Sequence, residues 1–229
     1  MKSIFNRVKL YLKNRLAFAK INLADATYSV LDTETTGLDF KKDKIISIAA
    51  IKIKNLQIQE QEVLNELVNP GIEISAASTQ IHNITNEQVQ GKKNLEEIEP
   101  IVSSYLQETI LVGHNIDFDI NFIKTNVPKS NLVIFVKNVV TIDTILLSAG
   151  LYPDLQSYEL TSLCNHFNIQ SNDQARHSAL GDSIITGRLF LFLVEEAKKR
   201  NTSTLSDLVK VCKQGQKLHR LMKNAINIH

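Results

Sequence analysis

Three stretches in the first third of the chain show the hydrophobic patterns of β-strands. TYSVLD (27–32) and KIISIAAIKI (44–53) are largely apolar, and IQEQEVLNELV (58–68) alternates apolar and polar residues. Short polar segments with turn-forming residues such as Gly37 separate them. Strands joined by connections this short pair in antiparallel fashion. The pattern therefore predicts three antiparallel strands at the start of the fold.

The spacing of apolar residues becomes helical further along the chain and then alternates between helix and strand. It is helical over 78–105, where Thr85 and Asn94 stand in N-cap positions. TILVGHN (109–115) and LVIFVKNVVTID (132–143) resemble strands, and helical sequence follows each of them. Such alternation is typical of α/β proteins in which some strands run parallel. We therefore predict an α/β fold.

The two ends of the chain differ from its middle. Residues 1–26 place apolar side chains at helical spacing among six basic residues, which predicts a basic amphipathic helix. This helix either packs on the main domain or docks on a partner or a membrane surface. Residues 200–229 are polar and basic and contain a second amphipathic pattern. The predicted organisation is an N-terminal extension (1–26), a catalytic domain (27–199) and a C-terminal helical segment (200–229).

Composition excludes several classes of protein. The chain has 26 Lys plus Arg and 24 Asp plus Glu, so any affinity for nucleic acid must come from local clusters of charge. Cys164 and Cys212 are far apart in helical stretches, which argues against a disulfide framework or a zinc site. No apolar run reaches the roughly 18 residues of a membrane span. We expect a cytoplasmic protein without integral membrane association.

Acidic residues and one histidine occur where α/β folds tend to build sites, at strand ends and helix starts. Asp32 and Glu34 are two residues apart in an extended segment, so their side chains project to the same side. Asp119 opens a helix after a strand, and His177 precedes a helix whose first turns contain Asp182. Each residue alone is also explained as a turn residue or a helix cap. It is their combination and order that point to a site.

Electrostatics suggests what these acids do together. Four carboxylates in one pocket would carry a charge of about −4, which is costly to bury unless cations neutralise it. Ligands that are all oxygen suit Mg²⁺ or Mn²⁺ better than zinc. Two such ions can clamp a phosphodiester, one activating water and the other stabilising the leaving oxygen, while a neutral histidine accepts the proton. The predicted cofactors are two divalent cations, Mg²⁺ or Mn²⁺.

With these residues in place, the sequence resembles the DEDDh family of 3′-to-5′ exonucleases, which includes the proofreading epsilon subunit of bacterial DNA polymerase III and its stand-alone relatives. The resemblance covers Tyr28 to Glu195. It implies a ribonuclease H-like fold with a mixed five-stranded sheet, its first three strands antiparallel and the others parallel, flanked by helices. The matching segments, in order, are DTETTGL (32–38), NPGIEIS…TQIHNIT (69–85), LVGHNIDFDINFI (111–123), TIDTILLSAGLYP (141–153), LTSLCNHFNI (160–169) and RHSALGDSIITGRLF (176–190).

The resemblance also implies a role for each acid and for the histidine. Asp32, Glu34 and Asp182 would bind one metal ion, Asp32 would also reach the second, and Asp119 would support the second. His177 would be the general base. Substrate-binding or supporting roles are implied for Thr35, Gly37, Leu38, Asn115 and Phe118, whereas Asp117 is expected to be exposed.

Two positions depart from the family pattern. Ser47 and Ala49 stand where the family usually has an acidic residue and then a glycine, and His82-Asn83 replaces the commoner His-Gly. Neither change removes an expected metal ligand. They do weaken the case for the replicative epsilon subunit itself.

The expected function is metal-dependent 3′-to-5′ hydrolysis of single-stranded or frayed DNA ends, releasing nucleoside 5′-monophosphates in proofreading or repair. The alternatives are an RNA-trimming exonuclease of the ribonuclease T type and a non-catalytic module that docks on a polymerase. A DNA polymerase catalytic subunit is a candidate partner. Four basic residues are candidate contacts to the phosphate backbone: Lys124, Lys129, Lys137 and Arg176.

Overall fold

A mixed five-stranded sheet forms the centre of the computed structural model, which describes residues 20–170 and 177–226. The strand order is β3-β2-β1-β4-β5. The pairs β1–β2 and β2–β3 are antiparallel, and the pairs β1–β4 and β4–β5 are parallel. This topology confirms the predicted fold class. The strands are β1 (Tyr28–Thr35), β2 (Ile45–Lys54), β3 (Gln57–Leu67), β4 (Ile110–Gly113) and β5 (Thr141–Asp143).

Helices cover both faces of the sheet. Two of them begin with capping boxes at the predicted N-caps, Thr85 and Asn94, where each cap side chain accepts a backbone N–H and the third helical residue bonds back. The helices are α1 (Ala76–His82), α2 (Asn86–Val89), α3 (Leu95–Leu106), α4 (Ile116–Asn126), α5 (Asn131–Asn138), α6 (Thr144–Leu151), α7 (Leu160–Phe167), α8 (Ala179–Lys199) and α9 (Leu205–Ile226).

Alternate residues of β1 belong to two separate hydrophobic cores. Tyr28 and Val30 join the core that contains Phe190 of α8, whereas Leu31 joins the core that contains Val102 of α3 and Phe122 of α4. Each of these six side chains is fully buried, and burial of a large apolar side chain contributes about 1.5–3 kcal/mol. The face of β1 that carries Val30 is therefore covered by α8, which matters for the site because Asp32 and Glu34 share that face.

The predicted strand over 132–143 is wrong for most of its length. Residues 131–138 form α5, and only Thr141–Asp143 form a strand. The Ser130 side chain caps the helix by accepting the Val133 N–H, at 3.1 Å. The buried carboxylate of Glu99, from α3, accepts the Leu132 N–H at 2.7 Å. A short apolar run fits either structure, and here tertiary contacts decide for the helix.

Segments on either side of the predicted catalytic domain pack against it. Leu23 and Ala26 are buried in the core beneath α8, and Asn22 forms a β-bridge with Thr204. Helix α9 lies against α6, where Gly215 leaves no room for a Cβ. The predicted N-terminal helix falls mainly on residues 1–19, which lie outside the described residues.

Two further expectations concern cysteines and membranes. Cys164 and Cys212 are buried in α7 and α9, and neither forms a disulfide within the part of the chain that the structure describes. Over residues 20–170 and 177–226, no helix combines the length and the apolar character that a membrane crossing requires.

Candidate active site

Strand β1 itself carries the first two acids of the site, whereas the sequence pattern ended the strand at Asp32. Asp32 pairs with Ala49 and Glu34 pairs with Ser47 on β2, and the register shifts after Glu34. Both carboxylates are half-buried. Ser47 and Ala49, which depart from the family pattern, thus lie directly opposite the two acids, where their small side chains leave room beside the carboxylates.

Helix α8 brings the third acid to the same place. Asp182 lies in its first turn, and carboxylate oxygens of Asp32, Glu34 and Asp182 lie within 4.8 Å of one another. Close packing of α8 on the sheet makes this possible, since a Cβ at Gly187 would come within 2.9 Å of Ile51.

The start of α8 also places the predicted general base. His177 adopts a left-handed backbone conformation, with φ of 60°, and its side chain is exposed. Ser178 then caps the helix by accepting the Gly181 N–H at 3.1 Å. A single residue, Ser178, therefore separates the histidine from the first turn of the helix that carries Asp182.

Asp119 approaches from the opposite face of β1. It lies in the first turn of α4 and is 3% exposed. The Thr33 hydroxyl donates a hydrogen bond of 2.6 Å to Asp119 Oδ1. Since Thr33 stands between Asp32 and Glu34 in β1, this hydrogen bond links the fourth acid to the strand that carries the first two.

The electrostatics of this group fit a cation site. Burial, together with the negative charges of Asp182 and Asp119, raises the pKa of Glu34 to about 7. Burial also raises the pKa of Asp119, against the hydrogen bond from Thr33. Like charges held this close favour protonation unless a positive charge lies among them. The carboxylate oxygens of Asp32, Glu34 and Asp182 could hold a metal ion, and all-oxygen ligands suit Mg²⁺ or Mn²⁺.

A tight turn after β1 presents the first three predicted substrate-binding residues. Thr35 is buried, and its hydroxyl donates a 2.6 Å hydrogen bond to the Gly37 carbonyl. Leu38 follows with 83% of its surface exposed. An apolar side chain this exposed, next to a group of carboxylates, is available to a ligand.

The other two predicted supporting residues lie at the start of α4. Asn115 has a left-handed backbone and is exposed, and its N–H donates to Asp143 Oδ1 at 3.3 Å. Phe118 is half-buried, with its ring 4.8 Å from that of Phe122. Asp117 is exposed, as expected.

Sequence reasoning missed the supporting roles of Thr33 and Asp143. Asp143 caps α6 by accepting the Ile145 N–H at 2.8 Å, it accepts the Asn115 N–H, and its charge raises the pKa of Asp119. Its place at the end of a parallel strand was a usable signal. Of the basic candidates, Lys129 and Lys137 are exposed and Lys124 is half-buried, and Arg176 lies outside the described residues.

Two solved exonuclease structures share this fold. Exonuclease X in complex with 5′-overhanging duplex DNA aligns with a TM-score of 0.63 at 24% identity, covering 81% of this chain and 99% of that one. E. coli Exonuclease I in complex with a dT13 oligonucleotide aligns with a TM-score of 0.63 at 17% identity, covering 76% of this chain and 42% of that one. Together with the acidic cluster, the sheet topology defines the class as a ribonuclease H-like nuclease fold.

Sequence comparison assigns the family. The RNase T family model, described as an exonuclease, matches residues 29–190, and the chain belongs to this exonuclease family. A DNA polymerase III PolC-type protein of Streptococcus suis is 35% identical over 191 residues, 83% of this chain. A DNA polymerase III subunit epsilon-like protein of Rhodobacter capsulatus is 36% identical over 212 residues, 91% of this chain. The alignments span 13% and 29% of the lengths of these relatives.

Proposed function

We propose that this chain is a DEDDh-type 3′-to-5′ exonuclease that removes nucleoside 5′-monophosphates from single-stranded or frayed DNA ends in proofreading or repair. The observation that carries the proposal is the convergence of Asp32, Glu34 and Asp182, with ligand oxygens within 4.8 Å. Asp119, tied to the same strand through Thr33, supplies the fourth carboxylate. Membership of the exonuclease family supports the same reaction class.

Two divalent cations, Mg²⁺ or Mn²⁺, would supply charge neutralisation and a more acidic water when bound. Asp32, Glu34 and Asp182 would hold one ion, and Asp32 and Asp119 the other. The raised pKa of Glu34 supports this assignment, because a carboxyl group that resists ionisation alone gains most from a bound cation. Buried donors such as the Thr33 hydroxyl hold the carboxylates in place before substrate arrives, which lowers the reorganisation needed for reaction.

His177 would accept the proton of the attacking water. Histidine changes charge near neutral pH, which suits it to this task. Its exposed side chain precedes the helix that carries Asp182, so it can approach a substrate phosphate from the solvent side. Thr35, Gly37 and Leu38 would bind the terminal nucleotide, the first two through the turn backbone and Leu38 by apolar contact with the base. Asn115 and Phe118 would support the substrate from the start of α4.

A DNA polymerase catalytic subunit is the proposed partner, because both sequence relatives carry DNA polymerase III names. The proposed compartment is the cytoplasm, in keeping with two cysteines that form no disulfide in the described residues. RNA remains the alternative substrate, and the same assay distinguishes it from DNA.

The test is a gel assay with 5′-labelled single-stranded DNA and an RNA oligonucleotide of the same sequence, each with Mg²⁺, Mn²⁺ or EDTA. The wild type is compared with Asp32→Ala and with a matched control, Asp117→Ala, which removes an exposed carboxylate from the first turn of α4. We expect a metal-dependent ladder that shortens from the 3′ end in the wild type and in the control. Asp32→Ala should give no ladder.

Three outcomes would count against the proposal. Full activity of Asp32→Ala would show that Asp32 is not a required metal ligand. Faster cleavage of RNA than of DNA would identify RNA, not DNA, as the preferred substrate. Binding of both polymers without cleavage would favour the non-catalytic docking module, and a pull-down with a polymerase catalytic subunit would then follow.

A further inference from the structure

The turn between β1 and β2 is built around one carboxylate outside the metal-binding group, that of Asp43. Its Oδ1 accepts a hydrogen bond from the Thr36 hydroxyl at 3.0 Å, and its Oδ2 accepts one from the Asp39 N–H at 2.9 Å. We call these two contacts the Asp43 clasp. The clasp encloses Gly37 and Leu38, the two residues that reach furthest towards a nucleotide in the proposed function.

The clasp and Gly37 are packed against each other. A Cβ at Gly37 would lie 2.5 Å from Asp43 Oδ2. The turn backbone therefore lies directly on the carboxylate, and a side chain fits at this position only if the carboxylate moves. Thr36 adds two further contacts across the turn: its N–H donates to the Lys44 carbonyl at 2.9 Å, and its hydroxyl accepts the Lys44 N–H at 3.1 Å.

Hydrogen bonds from two helices fix the position of the clasp relative to the acidic group. Ser78 of α1 donates a 2.6 Å hydrogen bond to the Thr36 carbonyl. Asn126, the last residue of α4, donates to the Asp43 carbonyl at 3.4 Å and accepts the Ile45 N–H at 3.1 Å. Helix α4 also carries Asp119, so the turn and one of the acids are fixed to the same element.

We propose that Asp43 is a positioning residue that holds the turn at Gly37 and Leu38 in the conformation that receives the 3′-terminal nucleotide. The inference rests on the proposed function. Without the carboxylate, the Thr36 hydroxyl and the Asp39 N–H lose their acceptor, and the exposed Leu38 loses its fixed backbone. The enzyme would then have to order the turn on binding, and this cost would weaken substrate affinity. The clustered carboxylates at the metal site do not include Asp43, so the chemical step would change little.

Three variants separate positioning from other roles. Asp43→Ala removes both contacts. Asp43→Asn keeps the size of the side chain and one hydrogen-bonding atom at each place, because the amide nitrogen can donate to the Thr36 hydroxyl. The control, Asp39→Asn, removes the charge of a neighbouring exposed carboxylate in the same turn. It leaves the backbone N–H that contacts Asp43 intact, and its amide oxygen can still accept the Lys41 N–H, which Asp39 Oδ1 accepts at 3.0 Å.

Steady-state kinetics on single-stranded DNA gives the first readout. For Asp43→Ala we expect KM to rise about tenfold or more while kcat stays within about threefold, in proportion to the loss of two charge-assisted hydrogen bonds. Asp43→Asn and Asp39→Asn should stay within about threefold of wild type in both constants. An unchanged KM in Asp43→Ala would overturn the proposal. A rise in KM in Asp43→Asn equal to that in Asp43→Ala would also overturn it, because the charge itself would then be required.

Hydrogen exchange measured by mass spectrometry gives a second readout that needs no activity. The peptide containing Asp39 should exchange faster in Asp43→Ala and at the wild-type rate in Asp43→Asn. If the wild type cleaves neither DNA nor RNA but exchange changes in this way, the proposed function fails, whereas the conclusion that the clasp orders the turn stands. Unchanged exchange in Asp43→Ala would refute the clasp. If Asp43→Ala does not fold, Thr36→Val removes the hydroxyl contacts to Asp43 and to the Lys44 N–H and leaves the Asp39 contact in place. An unchanged KM and exchange rate in this variant would overturn the proposal.

The contact between Gly37 and Asp43 provides an internal check. Gly37→Ala alone should raise KM, because its methyl group would displace the carboxylate. In the Asp43→Ala background the same substitution should cost much less, since its steric partner is gone. Additive effects of the two substitutions would contradict the contact on which the clasp depends.

Discussion

Replacing Glu34 with glutamine tests the electrostatics of the site in metal-free protein. The pKa of Glu34 is raised from an ordinary 4.5 to about 7, first by burial and then by the charges of Asp182 and Asp119. The folded state therefore binds the proton more tightly than the unfolded chain does. Below pH 4.5 the group is protonated in both states, and it does not change the free energy of unfolding. As the pH rises towards 7, the unfolded state ionises first, and the fold loses stability.

The size of the effect follows from the same two values. A tenfold change in proton affinity corresponds to about 1.4 kcal/mol, so ionised Glu34 destabilises the metal-free fold by about 3 kcal/mol above pH 7. Glu34→Gln keeps the shape of the side chain and removes the charge. It should raise the free energy of unfolding by about 3 kcal/mol at pH 8 and by much less at pH 5. For a chain of this size, that gain corresponds to about 6–12 °C in melting temperature.

The assay is urea unfolding in EDTA at pH 5 and pH 8, with Glu60→Gln as the control, because Glu60 is exposed on β3. The control should leave stability unchanged at both values of pH. Adding Mg²⁺ at pH 8 should stabilise the wild type more than Glu34→Gln, since a bound ion relieves the same repulsion. If Glu34→Gln raised the free energy of unfolding equally at both values of pH, or lowered it at pH 8, the raised pKa of Glu34 would be refuted as the cause.

Three further substitutions probe other parts of the molecule. His177→Ala should lower kcat by about 100-fold to 10,000-fold, typical of a lost general base, and a loss below tenfold would exclude that role. Thr33→Val leaves Asp119 without its hydroxyl donor and should lower kcat/KM about tenfold or more, whereas Thr33→Ser should retain activity; equal effects in both variants would contradict the hydrogen-bond argument. Gly215→Ala drives a methyl group into a backbone carbonyl of α6 and should lower the free energy of unfolding by about 1–3 kcal/mol in a thermal melt, whereas exposed Gln214→Ala should not.

Some features of the fold could be predicted from the sequence because their causes are local. The capping residues at Thr85 and Asn94 act within one helical turn, and both begin helices as predicted. The alternation of side-chain direction along β1 depends on the pleat of a single strand. It therefore sufficed to predict that Asp32 and Glu34 lie on the same side. The antiparallel start follows from short connections that permit little else.

The distances within the acidic group could not be predicted from local sequence patterns. The order of the motifs predicted that Asp32, Glu34 and Asp182 would meet, but their approach within 4.8 Å depends on how closely α8 packs on the sheet. That packing is set by Gly187, which is more than 130 residues from Ile51, the side chain it approaches. Similarly, no spacing rule connects Thr33 with Asp119, which lie on different elements.

Tertiary structure alone decided the remaining features. Residues 131–138 carry an apolar run that suits a strand or a helix, and a buried carboxylate from α3 selects the helix. The turn at Gly37 contains ordinary turn residues, and its exact conformation comes from Asp43 and from the contacts that α1 and α4 make with it. The physical reason is the same throughout. Spacing along the chain determines which side chains share a face, whereas the distance between two faces depends on every side chain packed between them.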